Sequence, residues 1–358
     1  MHTCVLNDKP TLHNDMSHSN ITQRKQDHID WILKDDLIER KQSGFDAINL
    51  SHRGLPECNL KDIDTQPVFL SKRLSFPMLI SSMTGGAASK LAQINQHLAE
   101  AAEANQVAMA VGSQRTFIEK PDAKKSFDLR QFAPTIPLIA NMGAVQLNYG
   151  FGIDQAKQMV DILEADALYL HLNPLQEVIQ PEGDTNFANL ADKIEQLAKA
   201  LPVPIILKEV GSGLSPNDIQ LGLNAGIRWF DVAGRGGTSW SRIESHRSDN
   251  DDHQSLGILF QDWGLTTPQA LTLARPFQDQ AKFLASGGIR NGIDMVKSVI
   301  MGAQICGLAS PLLKPALISA AETDQKIQQL HQEFRTAQFL LGAPTLADLF
   351  LNDALIVS

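Results

Sequence analysis

The sequence predicts an α/β fold, a (β/α)8 TIM barrel with an N-terminal extension and C-terminal helices. Three observations carry this. Short apolar runs recur eight times along the 358 residues, helix-like stretches separate them, and most of the runs end on glycine or a hydroxyl. Uninterrupted apolar runs mark strands buried on both faces, as parallel sheets require. In such a barrel, polar residues at the C-terminal strand ends build the active site.

The runs are 76–83, 107–112, 137–143, 167–173, 204–211, 229–234, 282–288 and 304–310. Ahead of them, residues 1–23 are polar and aperiodic, and are expected to form a flexible tail. Residues 24–75 then supply a helix starting near Gln26 and, between Phe45 and Leu74, a strand or two able to plug the barrel's N-terminal end. The barrel itself covers 76–311. Its connecting helices announce themselves with hydroxyl caps at Ser89, Ser215 and Thr267, the last two followed by proline in the first turn. The segment 242–255 is charged with a single apolar residue, and reads as a solvated loop; the alternative is a lid that orders on ligand binding. Residues 312–358 hold an amphipathic helix over 324–341 and a shorter one over 344–356, suited to packing or oligomer contacts.

Composition narrows the function. A formal net charge of −9 argues against a nucleic-acid-binding surface. Cys4, Cys58 and Cys306 are scattered and form no metal-ligand cluster, the usual look of a reduced cytoplasmic protein. Neither a bilayer-spanning apolar stretch nor a signal peptide is visible, so a cytoplasmic location without membrane partners is expected.

The strand ends carry the chemistry. Ala285-Ser286-Gly287-Gly288-Ile289-Arg290 and Gly307-Leu308-Ala309-Ser310 close the last two strands, where barrels commonly build a phosphate site from backbone N–H groups and a helix N-terminus. A tight strand-to-helix turn is the plainer alternative. The small residues of 233–239, with Thr238, and of Ser82-Met83-Thr84-Gly85-Gly86 allow backbone to lie against a flat ring. Lys208 leaves a buried strand and needs an anionic partner, whether a ligand or Glu209, although alternation sends Glu209 to the other face. His171 and Asn173 share a strand face, and Gln176 and Glu177 follow in the turn, a set suited to an anion held with a hard cation. Arg24, Lys25 and His28 lie on one helical turn, either a polyanion clamp or a solvated basic turn.

In order, Arg24-Lys25-x-x-His28, Met83-Thr84-Gly85-Gly86, Gly112-Ser113-Gln114-Arg115, Asn141-Met142-Gly143, His171-x-Asn173-x-x-Gln176-Glu177, Lys208-Glu209-Val210-Gly211, the 233–240 motif and Ser286-Gly287-Gly288-Ile289-Arg290 resemble type 2 isopentenyl diphosphate isomerase from about Arg24 to Pro311. The resemblance implies interconversion of isopentenyl and dimethylallyl diphosphate with reduced FMN, Mg2+, and NADPH as reductant. It places Met83, Thr84, Gly85, Ser113, Asn141, Lys208 and Thr238 on FMN, and Gly287, Gly288, Arg290, Leu308 and Ala309 at its phosphate end. Arg24, Lys25, His28, Arg115, His171, Asn173 and Gln176 would bind substrate, and Glu177 Mg2+. Gln176, Lys208 and His171 are the candidate catalytic residues beside the flavin. It also implies a homo-oligomer, a tetramer or octamer. Ser310 departs from the arginine usual before Pro311. The competing readings are an FMN-dependent oxidoreductase of the 2-hydroxy-acid oxidase type, which would need a histidine base beside an arginine such as Arg290, and a non-catalytic flavin-binding barrel.

Overall fold

Eight parallel strands close into a barrel in sequence order: β1 (Met78–Ile80), β2 (Ala108–Ala110), β3 (Leu138–Gly143), β4 (Ala167–Leu172), β5 (Ile205–Glu209), β6 (Trp229–Asp231), β7 (Lys282–Ser286) and β8 (Ala303–Leu308). Seven fall within the apolar runs, and the eighth starts one residue ahead of its run, at Ala303. The computed structural model describes residues 14–83, 89–119, 121–248 and 250–357; Thr84, Gly85 and the first thirteen residues of the expected tail lie outside them.

Alternation along the strands sorts side chains into two sets. Leu79, Ala108, Ala110, Ile139, Ala167, Tyr169, Ile206, Leu284 and Ile305 point inward and pack with one another. Met78, Ile80, Leu138, Ala140, Leu168, Leu170, Leu207, Phe283, Cys306 and Leu308 point outward against the helices. The inner cluster is closed from below by a hairpin, Val68–Phe69 with Lys72–Arg73, whose Phe69 and neighbouring Leu74 are buried in it. Its two turn residues, Leu70 and Ser71, have φ of 48° and 64°, the left-handed pair that a tight two-residue hairpin demands. This is the expected plug.

Several expectations change at the edges. Helix α1 runs Asn14–Lys34, so residues 14–23 are helical rather than a flexible tail. Once the turn carrying Lys25, His28 and Ile29 is formed, each added residue gains one hydrogen bond without needing an apolar face. The charged stretch 242–255 is not a solvated loop: α2 (Trp240–Arg247) is followed by α3 (Asp251–Leu259), with Ile243, Glu244 and Ser245 buried. Ser215 caps its helix reciprocally with Asp218 as expected, but the cap at the third site is Thr266, one residue earlier than Thr267. Thr267 instead donates to the carbonyls of Ser286 and Gly287, tying that helix to the end of β7. Ser89 opens a helix, Ser89–Ala104. At the C-terminus Ala320–Leu340 is one helix, whereas 344–356 is broken into the short helix Leu346–Leu349 and a 3-10 turn at Asp353–Leu355 before Ile356–Val357 pairs with Asn49–Leu50.

Candidate active site

The cavity at the C-terminal mouth follows from the alternation that fills the barrel. One step above the apolar inner layer, the next inward positions are Asn141 on β3, His171 on β4, Lys208 on β5, Asp231 on β6, Ser286 on β7 and Gly307 on β8. All but Asp231 line one cavity, which also takes in Arg24, Lys25, His28, Met83, Ser113, Arg115, Asn173, Gln176, Glu177, Thr238, Gly287, Gly288, Arg290 and Ala309. Of the described residues expected at the site, only Leu308 is absent from this wall: it is an outward position of β8, packed against the helices.

The Gly-Gly turn is built as a backbone surface. Gly287 and Gly288 have φ of 89° and 77°, a region that side chains disfavour. A Cβ on Gly288 would sit 2.7 Å from the Ser43 side chain and 2.9 Å from the Gly236 backbone. Arg290 closes this end, donating to Glu39 Oε2 at 2.6 Å and to the Gly236 carbonyl. The next helix, α4 (Gly292–Ile300), is capped by Asn291. Glu39 also accepts from the Thr238 hydroxyl, so one carboxylate spans two residues expected at the flavin.

At the centre, Asn141 donates to Ser82 and to the Val111 carbonyl, which leaves its Oδ1 to accept from His171 Nδ1 at 2.7 Å. That places the imidazole proton on Nδ1 and leaves Nε2 as an acceptor. Burial, reinforced by the charges of Lys25, Lys208 and Arg24, pushes His171 down to about 3. It is therefore a neutral group, not a further cation. Lys208 does not pair with Glu209. Its Nζ lies 3.2 Å from Asp231 Oδ2 and donates to Ser286 Oγ at 2.9 Å. Glu209 points away, accepting from the backbone N–H groups of Gly211, Ser212 and Gly213, and burial pushes it up to about 7.

The opposite wall is cationic. Burial and the neighbouring Arg24 push Lys25 down to about 7. Arg24 reaches Glu182 at 3.5 Å, and Arg115 is held by Glu119 and Asp184. His28 Nε2 lies 3.0 Å from Glu244 Oε1, which also accepts from Gln176 Nε2 at 2.9 Å. Arg247 donates to the other Glu244 oxygen at 2.6 Å. Burial opposes ionisation of Glu244, but His28, Arg247 and Gln176 outweigh it and hold the carboxyl well below its ordinary range. Glu177 accepts from Asn173 Nδ2 at 2.7 Å and from the Asp184 N–H at 2.8 Å. Burial raises its pKa.

Glu244, Asp231 and Glu39 were missed by the sequence reading. Two local signals were available for the first: Ser239 before Trp240 and Asn250 before two aspartates are both helix starts. Asp231 stands directly across from Lys208 in the β5–β6 register, a pairing that consecutive strands alone suggest.

The residues fit a flavin phosphate. One end of the cavity offers a side-chain-free turn with an arginine, and the middle offers amides and hydroxyls beside a buried ammonium. For Mg2+ the fit is conditional. Among the described residues no group of three or more His, Cys, Asp or Glu side chains could hold a metal. Glu177, with the unpartnered amide oxygen of Asn173, suits a hard cation whose remaining positions are filled by phosphate oxygens and water.

Comparison with known proteins gives the same direction. The FMN-dependent dehydrogenase family matches residues 169–356, more than half of the chain. Isopentenyl-diphosphate delta-isomerase of Hydrogenovibrio crunogenus is 72% identical over 342 residues, 96% of this chain and 100% of that protein. The enzyme of the same name from Paracoccus zeaxanthinifaciens is 55% identical over 346 residues, 96% and 99% of the two chains. Among solved structures, a flavocytochrome b2 mutant with pyruvate bound superposes with a TM-score of 0.64 at 17% identity, covering 89% of this chain and 78% of that one. A mandelate oxidase mutant does so at 0.60 and 16%, covering 87% and 88%; these two speak for the fold alone. The barrel, its family and near-full-length identity to the isomerases therefore agree: the chain belongs to the FMN-dependent, type 2 isopentenyl-diphosphate delta-isomerases.

Proposed function

We propose that this chain interconverts isopentenyl and dimethylallyl diphosphate by a 1,3-allylic proton shift, with FMN kept reduced by NADPH and with Mg2+ on the diphosphate. The observation that carries the reading is the polarity of one cavity: a phosphate-type backbone turn at one end, a cationic wall at the other, and a buried lysine between them. Among the described residues of that wall, the histidines are His28 and His171. Neither adjoins Arg290 in sequence, as a 2-hydroxy-acid oxidase would require.

Gly287, Gly288, Arg290 and Ala309 would hold the FMN phosphate, and Met83, Ser113, Asn141, Lys208 and Thr238 the rest of the cofactor. Reduced FMN supplies, when bound, an electron-rich ring and ring N–H groups that exchange protons with an alkene and stabilise positive charge near it. The protein supplies the remainder. Arg24, Lys25, His28 and Arg115 take the diphosphate, with Asn173 beside it. Glu177 contributes the protein carboxylate to Mg2+. Gln176, its amide fixed by Glu244 at 2.9 Å, is oriented toward the hydrocarbon. Lys208 places its ammonium where it favours an anionic ring. His171, neutral with a free Nε2, can accept a hydrogen bond from the ligand without adding a charge to the site. The cytoplasm is the expected site of action, and a homo-oligomer the expected state. No helix among the described residues is long and apolar enough to cross a membrane.

The test is proton NMR of isopentenyl diphosphate in D2O under anaerobic, reducing conditions. FMN-loaded protein should form the allylic isomer with deuterium incorporated. Conversion by flavin-free protein, or oxidation of a 2-hydroxy acid in its place, would reject the reading.

A further inference from the structure

The cluster beneath Lys208 has no place in the mechanism so far. Asp231 is wholly buried, on the inner face of β6. Its Oδ1 accepts from Ser286 Oγ at 2.7 Å and from the Ala233 N–H at 3.2 Å. Its Oδ2 accepts from Tyr169 Oη at 2.9 Å and lies 3.2 Å from Lys208 Nζ. Ser286 links the pair, accepting from Lys208 and donating to Asp231. Tyr169 stays a donor, because burial and the adjacent Asp231 charge push its phenol well above its ordinary value. The ammonium stands 5.7 Å from the Tyr169 ring centroid.

A barrel interior needs none of this for packing. Below this layer the inward positions are aliphatic or aromatic, and an unpaired buried charge is costly. The arrangement does hold one charge at one height. Lys208 and Ser286 reach the cavity and Asp231 and Tyr169 do not, so Asp231 supplies the lysine's counter-charge from the side away from the ligand. We propose that Asp231, with Ser286 and Tyr169, is a positioning residue that keeps Lys208 charged and aimed at the bound flavin, so that it sets how strongly the protein prefers reduced over oxidised FMN. This rests on the reading that Lys208 faces the flavin.

The proposal has a sign that other roles lack. An aspartate acting on the flavin only through its own charge disfavours the anionic reduced ring, so removing it would raise the reduction potential. An aspartate acting through Lys208 does the reverse: without it the ammonium is buried with no counter-ion, the positive charge is lost, and the potential falls. An aspartate that merely holds the fold leaves the potential where it was.

The experiment is spectroelectrochemistry of the FMN-loaded protein, comparing Asp231→Asn, Lys208→Met, the double variant and Ser286→Ala with the unaltered chain. Asp231→Asn should lose about tenfold in preference for reduced flavin, roughly a 30 mV fall for a two-electron couple. Lys208→Met should fall in the same direction, and the double variant no further than Lys208→Met. Ser286→Ala should show a smaller fall of the same sign, and it carries the test if Asp231→Asn does not retain flavin. A fall in Lys208→Met with an unchanged or raised potential in Asp231→Asn, or in Ser286→Ala where it stands in, overturns the proposal alone. An unmoved potential in Lys208→Met removes the underlying reading of the lysine, and the proposal with it.

Discussion

At the scale of one side chain, Lys25 makes the sharpest statement about substrate charge. In the ligand-free protein, burial and Arg24 bring it to about 7, so its positive charge is present below that pH and is lost as pH rises through it. A diphosphate against the ammonium favours the charged form. Binding should then draw a proton in at pH 7 to 8, and affinity should weaken with rising pH over that interval. Calorimetry of inorganic pyrophosphate in buffers of different ionisation heat measures the uptake. Lys25→Met should remove most of it and cost about tenfold in affinity, in line with one charge-assisted contact of 1.5–3 kcal/mol. Equal proton uptake in the variant would assign it to the pyrophosphate instead. Glu244 is the counterpart on the same wall, a carboxylate that stays ionised because three partners hold it, and it orients Gln176 and His28 rather than meeting the ligand as a free charge.

At the scale of elements, the turn after β7 is a structure only glycine permits. Gly288→Ala would put a methyl 2.7 Å from Ser43 at φ 77°, so either the loop or the Ser43 segment must move. FMN affinity should fall at least about tenfold, while the barrel, whose strands are untouched, keeps its melting temperature within a few degrees. Fluorescence titration with FMN checks the first and calorimetry the second. A normal FMN affinity would mean that the phosphate does not sit on this turn. Such backbone features were legible in the sequence because glycine pairs and apolar runs have a direct geometric meaning, and all eight strands could be read the same way. Leu308 shows the limit: its motif closes a barrel strand, but strand alternation turns its side chain outward. α2 and α3 show another. Their buried face is short and carries Glu244 in place of an aliphatic residue, so charge content alone suggested solvent. Partners such as Asp184 for Arg115 and Glu39 for Arg290 come from distant parts of the chain, and local patterning does not name them.

At the scale of the whole molecule, the cationic helix and the flavin turn are joined by one strap. Ile38 accepts from the Ser239 N–H, and Arg40 N donates to the Gly237 carbonyl. The Arg40 guanidinium donates to the carbonyls of Gly237, Gln261, Gly211 and Thr238 at 2.9–3.0 Å. Burial brings it down to about 10, which leaves it charged at neutral pH. Just upstream, Asp35 accepts from Arg242 at 2.6 Å and from His246 at 2.7 Å, and Trp31 stacks on His246 with ring centres 4.4 Å apart. α1 is thus anchored to α2 at its C-terminal end and to the 237–239 segment immediately after it. Arg40→Ala takes the guanidinium from four carbonyls at once; Gly237 keeps the Arg40 N–H and Gln261 the Ser239 hydroxyl, which leaves Gly211 and Thr238 to find other donors. Each loses a charge-assisted bond, and those cut off from water cost about 1–3 kcal/mol apiece, enough to release the strap without unfolding a barrel whose strands pair independently of it. Hydrogen exchange over residues 24–40 should accelerate, while the strands stay protected. Pyrophosphate and FMN should both bind more weakly in this single variant, because the strap touches both ends of the cavity. Arg40→Lys, which restores the charge but not the fork of donors, should recover only part. Unchanged exchange over 24–40 in Arg40→Ala would show that α1 is held by its contacts with α2 alone, and the two ends of the site would then be independent.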